Sequence, residues 1–342
     1  MNNKLVPLTA FAAVAAATLA LTGCGSGVQA AGTASGAAGN SYVNVVKLAG
    51  GDWFNRMEVG NQEWAKDNGA TVKQTAGDDS SPEKQIAVIN SAIPQKPAAI
   101  TVVPNSPESL EAVLQRARDA GIKVVTHEAA GIKNTDADIE AFDNEEYGAH
   151  QMDLLAKCMG GSGQYAHFVG GLTVSSHLAW VKGAAAQASA KYSGVSSIGD
   201  PISSDESADN AYQRTKELLA KYPDIKGFLG AASTDVVGIG KAVSEAGKAG
   251  NVCVVGTSLP SYTKELLTSK AVTAITFWDP ALAGKAMLAI AKKLANNEKV
   301  AEGTDLGIEG YNKLKQSKDS STTFFGSAWV DVTADNADKY SF

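Results

Sequence analysis

From Tyr42 onward, short apolar runs alternate with amphipathic stretches, and this alternation constrains the fold more than any other feature of the chain. A short apolar run suits a strand buried on both faces, and the amphipathic stretch after it suits the crossover helix that parallel strands require. Residues 43–48 read as a strand and residues 56–68 as a helix with Met57, Trp64 and Ala65 on one face, stopped by Gly69. Strands at 70–74, 98–103 and 123–126 follow, separated by helices over 82–93 and 109–120. Four strands joined by helices make half of a doubly wound fold.

A second series follows the first. Helices are expected over 146–159, 176–191, 207–221 and 236–246, with strands at 164–169, 196–198, 227–229 and 252–256 between and after them. A further helix, strand and helix at 261–267, 272–277 and 280–295 add a last unit; 303–321 is polar and irregular, and 329–332 makes a late strand. Each half carries its own core-forming helices, so the fold class is α/β with two doubly wound parallel-sheet lobes, not one large sheet. At 342 residues, 44 % of them apolar, the chain can bury two cores of ordinary size.

Residues 1–23 have the parts of an export signal: a short polar start with Lys4, an apolar stretch too short to span a bilayer, and small residues before a cleavage point. Leu21-Thr22-Gly23-Cys24 has the spacing of a bacterial lipobox, which would place a lipid on Cys24 and hold the protein extracytoplasmically on the cell membrane. Residues 24–40 are mostly Gly, Ala and Ser and read as a flexible leash. Net charge is −6 and no basic cluster occurs, which argues against nucleic acid as a partner. Cys158 and Cys253 could pair in an oxidising compartment, but a chain built on disulfides carries more cysteines, so both are read as buried thiols.

Open α/β sheets bind ligands beyond the carboxyl ends of their strands, so the residues at those ends are the candidates. Trp53, Phe54 and Trp278 offer flat apolar walls for the C–H faces of a sugar ring. Lys47, Glu128, Asp235 and Asp279 bring charges of both signs to four strand ends, and charged hydrogen bonds to hydroxyls can fix stereochemistry. Ser176 and His177 open a helix, one of the serines 175 and 176 serving as its cap, and Ser233 joins Asp235 in the loop after strand 227–229. Alternation sends His127 to the face opposite Glu128, where it packs. The four histidines are scattered without metal-ligand spacing, and no nucleophile or phosphate-binding motif is complete, so neither catalysis nor a cofactor is expected.

With these residues in view, the chain resembles the type I periplasmic binding proteins, in the branch of rhamnose-binding and autoinducer-2-binding receptors of ABC importers. The resemblance runs from about Val43 to the C-terminus. It is carried by Val46-Lys47-Leu48, Glu83-Lys84-Gln85-Ile86, Ala179-Trp180-Val181, Gly256-Thr257-Ser258-Leu259-Pro260-Ser261, Phe277-Trp278-Asp279-Pro280 and the ending from Asp335 to Phe342. It implies a monomeric two-lobed clamp whose chain crosses a hinge three times and hands one sugar-like ligand to a membrane permease. The implied first lobe holds 41–128 plus 280–310, the second 129–279 plus 311–342. Lys47, Trp53 and Phe54 match ligand contacts of the autoinducer-2 receptors; Glu128 stands where they have an aspartate, and Ser176 and His177 stand where they have an Asp-Gln pair. That departure favours a monosaccharide of deoxyhexose or pentose type over autoinducer-2. A sensor presenting ligand to a membrane kinase would share the fold.

Overall fold

The computed structural model describes residues 39–342 apart from residues 130 and 341. The export segment, Cys24 and nearly all of the leash lie outside the described residues. The body begins with β1 (Ser41–Val45), α1 (Asp52–Asp67), β2 (Thr71–Thr75), α2 (Pro82–Ala92), β3 (Ala99–Val102), α3 (Pro107–Asp119), β4 (Lys123–Thr126) and β5 (Ala137–Glu140). It continues with α4 (Asn144–Met159), β6 (Ser162–Val169), α5 (Ser175–Lys191), β7 (Gly194–Ser197), β8 (Ile202–Ser203), α6 (Ala208–Lys221), β9 (Gly227–Gly230), α7 (Asp235–Glu245) and β10 (Cys253–Thr257). The last elements are α8 (Pro260–Thr268), β11 (Ala274–Phe277), α9 (Pro280–Ala295), β12 (Lys315–Gln316), β13 (Thr323–Phe325) and β14 (Val330–Val332).

The strands form two sheets, and each heads one doubly wound lobe. The first runs β12-β13-β5-β4-β3-β1-β2 and is parallel except between β12 and β13. The second runs β14-β11-β10-β9-β6-β7 with β8 beside β6, and β14 alone is antiparallel. Aliphatic strand residues such as Val43, Val45, Ile100 and Val102 pack with Ile89, Leu110 and Leu114 to make one face of the first lobe's core.

Three strands depart from the sequence reading, and they move the lobe boundaries. β5, β12 and β13 all belong to the first sheet, so the chain passes between lobes after Glu140, after Phe277 and after Phe325. The sequence boundaries at 128 and 310 assigned these strands to the second lobe. β5 escapes notice because it buries two acids: Asp138 accepts from Thr126 Oγ1 at 2.8 Å and Glu140 from the Ala129 N–H at 2.9 Å. Burial raises both carboxyl pKa values above the ordinary range, and the Glu140 charge lifts Asp138 further.

Helix ends and close backbone contacts set the pieces that face the cleft. Asp143 caps α4, Ser207 caps α6 and Asp279 caps α9, each worth about 1 kcal/mol. The α4 and α5 backbones touch at Gly148 and Gly183, where a Cβ would lie 2.0 Å from Trp180 O and 2.1 Å from Glu145 O. Only glycine permits that approach, and it sets Trp180 beside the start of α4.

Cys158 and Cys253 are bonded as a disulfide with Cα atoms 6.0 Å apart, which corrects the reading of both as buried thiols. Cys158 is exposed near the end of α4 and Cys253 is buried at the start of β10. A count of two free cysteines says nothing about geometry, and here the fold brings positions 95 residues apart into register. Closing so long a loop restricts the unfolded chain, so Cys158→Ser/Cys253→Ser should lose about 2–4 kcal/mol of stability in urea unfolding. An unchanged midpoint would show that the bond does not stabilise the lobe.

Candidate functional site

The carboxyl ends of both sheets face one cleft, and the residue just beyond β1 anchors it. Lys47 is buried, and its Nζ lies 2.5 Å from Glu128 Oε2, which is buried as well. Glu128 follows β4 with a left-handed backbone, φ 55°, unusual for a residue with a Cβ and a mark of strain held for a purpose. Gln85 braces the strand ends beneath, donating to Val46 O and Val103 O and accepting from the Asn105 N–H, while Asn105 Nδ2 donates to Lys47 O. Burial works against the Lys47 ammonium, but the carboxylates of Glu128, Glu206 and Glu140 outweigh it and raise its pKa above the ordinary lysine value.

Aromatic rings wall the same space. Trp53 and Phe54 sit in the first turn of α1 rather than in the loop before it. Trp53 meets Trp278 edge to face at 4.7 Å between centroids, and Trp278 meets Trp180 at 5.9 Å. Trp278 is aimed by a relay: its Nε1–H donates to His127 Nε2 at 3.2 Å, and His127 Nδ1–H donates to Ile139 O at 2.5 Å. His127 therefore packs, as alternation implied, and its packing orients a wall. Trp180 is fixed by Nε1–H donating to Asn144 Oδ1 at 2.5 Å.

The second lobe supplies the opposite side. The Gly170 N–H donates to His177 Nδ1 at 3.1 Å, so Nδ1 is an acceptor and the proton of the neutral ring sits on Nε2. Burial, with the nearby Lys47 charge, holds the His177 pKa well below the ordinary value, so the ring stays a neutral donor at physiological pH. Ser233, Thr257 and the Ala231 and Ala232 backbone complete this wall, and Ser258 Oγ–H donates to Ser233 O at 2.6 Å to hold the loop.

Seven of the ten sequence candidates line one cavity: Lys47, Trp53, Phe54, Glu128, His177, Ser233 and Trp278. The other three lie outside that lining, and of them Asp235 and Asp279 hold backbone or side-chain groups of the protein itself. Ser176 is buried in α5. Asp235 accepts from the Ala231 and Ala232 N–H groups at 3.1 and 2.9 Å, and burial pushes its carboxyl up to about 7. Asp279 caps α9 and takes a bidentate ion pair from Arg56 at 2.9 and 2.6 Å. Trp180, Glu206 and Thr257 also line the cavity and were not among the candidates. Trp180 lies inside a helix, where spacing shows only a packed face, and Glu206 follows a strand of two residues that has no sequence signal.

The lining residues close tightly on one another and enclose only about 30 Å³, room for a water molecule or two, so a ligand of sugar size needs the walls to part. The lobes meet around this cavity: the Asp52 N–H donates to Tyr262 Oη at 3.0 Å, Thr173 Oγ1–H donates to Asn105 O at 3.3 Å, and the Arg56 guanidinium lies 4.0 Å over the Phe342 ring. A larger groove of about 940 Å³, open to solvent, is lined by Phe142, Trp329 and residues 315–320. It has rings of its own, Phe142, Phe325 and Trp329, but Glu140 is its one buried charged side chain, whereas the smaller cavity sets the buried Lys47–Glu128 pair beside its rings, and that pair favours the smaller cavity. Among the described residues no group of three His, Cys, Asp or Glu side chains is arranged to hold a metal, and no helix is long and apolar enough to cross a membrane.

Comparison with known proteins agrees with this fold. The periplasmic binding protein domain matches residues 42–299. The chain belongs to the periplasmic binding protein family. A xylitol-binding protein of Mycolicibacterium smegmatis is 30 % identical over 258 residues, spanning 74 % of this chain and 70 % of that protein. LsrB from Clostridium saccharobutylicum, solved with AI-2, superposes with a TM-score of 0.82 at 20 % identity, covering 88 % of this chain and 100 % of that one. A solute-binding protein from Clostridium phytofermentas, solved with L-rhamnose, gives a TM-score of 0.82 at 22 % identity, covering 89 % and 98 %. The family is one of extracytoplasmic binding proteins, and the two lobes are the type I fold.

Because Lys47 and Glu128 neutralise each other out of water, removing one should strand the other. Lys47→Met should lower the stability of the free protein by about 3–5 kcal/mol, and Lys47→Met/Glu128→Leu should recover most of it while abolishing ligand binding. Equal unfolding midpoints for wild type and Lys47→Met would mean the pair is not buried as described.

Proposed function

We propose that this periplasmic binding protein captures one small sugar or sugar alcohol of pentose or deoxyhexose size between its lobes and delivers it to an ABC permease. The observation that carries the reading is the convergence, in one cavity, of aromatic rings with the Lys47–Glu128 pair from the first lobe and His177 and Glu206 from the second. Aromatic faces take the C–H surface of a sugar, while ammonium, imidazole N–H and carboxylates offer donors and acceptors to its hydroxyls. The similarity to a xylitol-binding protein supports a short polyol. Ligand bridging both lobes favours the closed arrangement, so capture and the signal to the permease arise from the same contacts.

The same reading includes a lipid on Cys24 and a small-residue leash over 24–40 that hold the clamp at the cell membrane as a monomer. A thermal-shift screen against pentoses, pentitols, deoxyhexoses and autoinducer-2 tests the ligand class. A ligand at a hundred times its Kd should stabilise the protein by about 2.7 kcal/mol; a panel that leaves the midpoint unmoved, or moves it only with autoinducer-2, would contradict the reading. For the anchor, Cys24→Ser should release the protein from the membrane fraction, and retention there would remove the lipid from the account.

A further inference from the structure

We propose that Glu206 is a ligand-binding carboxylate that makes this site prefer uncharged polyols to sugar acids; the inference rests on the polyol reading above. Glu206 stands between β8 and α6, and both it and Asp205 have left-handed backbones, φ 56° and 55°. Two such residues in succession are disfavoured for side chains with a Cβ, and they turn the chain sharply. The turn is held by the Glu206 N–H donating to Gly170 O at 3.1 Å and by Ser207 Oγ accepting from the Asn210 N–H at 3.2 Å.

That turn lays the Glu206 side chain across Gly170 and into the cavity that Lys47, Glu128 and His177 line. A Cβ at position 170 would lie 2.2 Å from Glu206 Oε1, so glycine there leaves the carboxylate its place. Glu206 Oε1 is buried with no hydrogen-bond partner among the described residues. A buried acceptor without a donor is costly, and a ligand hydroxyl would supply the donor. The Glu128 carboxylate already has the Lys47 ammonium at 2.5 Å. Glu206 Oε1 is therefore the carboxylate oxygen of the site left for a ligand: burial raises the pKa of its carboxyl, the Lys47 ammonium acts on it only at longer range, and it lies on the lobe opposite Lys47.

The consequence is a charge filter. One ammonium faces two carboxylates across a narrow space beside a neutral imidazole. A ligand hydroxyl gains from every one of these groups, whereas a ligand carboxylate would be a third negative group around a single ammonium that Glu128 and Glu206 already share.

The test is calorimetric titration of wild type and Glu206→Gln with matched pairs: xylitol and xylonate, D-arabinose and D-arabinonate, L-rhamnose and L-rhamnonate. Wild type should bind the neutral member of at least one pair ten-fold or more tightly than its acid. Glu206→Gln, which keeps the shape and removes the charge, should shrink that ratio by about ten-fold. Equal binding of acid and neutral partner by wild type would overturn the inference and leave the polyol reading intact. So would an unchanged ratio in a Glu206→Gln protein that melts within a few degrees of wild type. Binding of the acids alone would overturn both.

Discussion

A lysine ammonium taken out of water at the end of a central strand is the constraint on which the rest of the cleft depends. Lys47 can remain charged there only because carboxylates surround it, Glu128 in direct contact and Glu206 and Glu140 at longer range. Those carboxylates come from three separate places in the chain: the end of β4, the loop before α6 and the end of β5. Their convergence therefore ties the first lobe's sheet to the second lobe's loop. It also explains the strained backbone at Glu128 and Glu206, since each must turn a side chain toward a point its strand would otherwise pass by.

Around that charge the protein's own hydrogen bonds orient the aromatic walls. Trp278 is aimed through His127 to the backbone of β5, and Trp180 is tied to the first residue of α4. Both ties end where the chain leaves the first lobe for the second, so ring orientation is coupled to the geometry of the crossing. A preorganised wall spares the ligand the entropy of ordering it. The disulfide acts at the far end of the same helix, fixing α4 to β10, whose last residue Thr257 lines the cavity.

Much of this was legible in the residues. Strand ends in a βα alternation identify the first-lobe half of the site almost completely, because Lys47, Trp53, Phe54, Glu128 and Trp278 all stand just past recognisable strands. The second lobe was harder. Trp180 lies within a helix and reads as packing, and Glu206 follows a strand of two residues, too short for any pattern to announce. β5 was missed for a different reason: Asp138 and Glu140 make a buried strand look like a polar loop, and only the sheet shows that they share its inner hydrogen bonds. Asp235 and Asp279 follow strand ends as expected, yet the loop N–H groups of Ala231 and Ala232 hold one oxygen of Asp235, and the start of α9 together with Arg56 holds Asp279. Position alone does not tell a ligand contact from a cap.

The claim that orders all of this is that the ligand lies in the small, charged, aromatic cavity and not in the larger open groove lined by Phe142 and Trp329. A crystal structure of the protein with whichever polyol stabilises it most decides the matter. The account predicts a single molecule within hydrogen-bond distance of Lys47 Nζ, His177 Nε2 and the Glu206 carboxylate, against the Trp53 and Trp278 rings. A molecule seated in the open groove, with the Lys47 cavity unchanged, would contradict it.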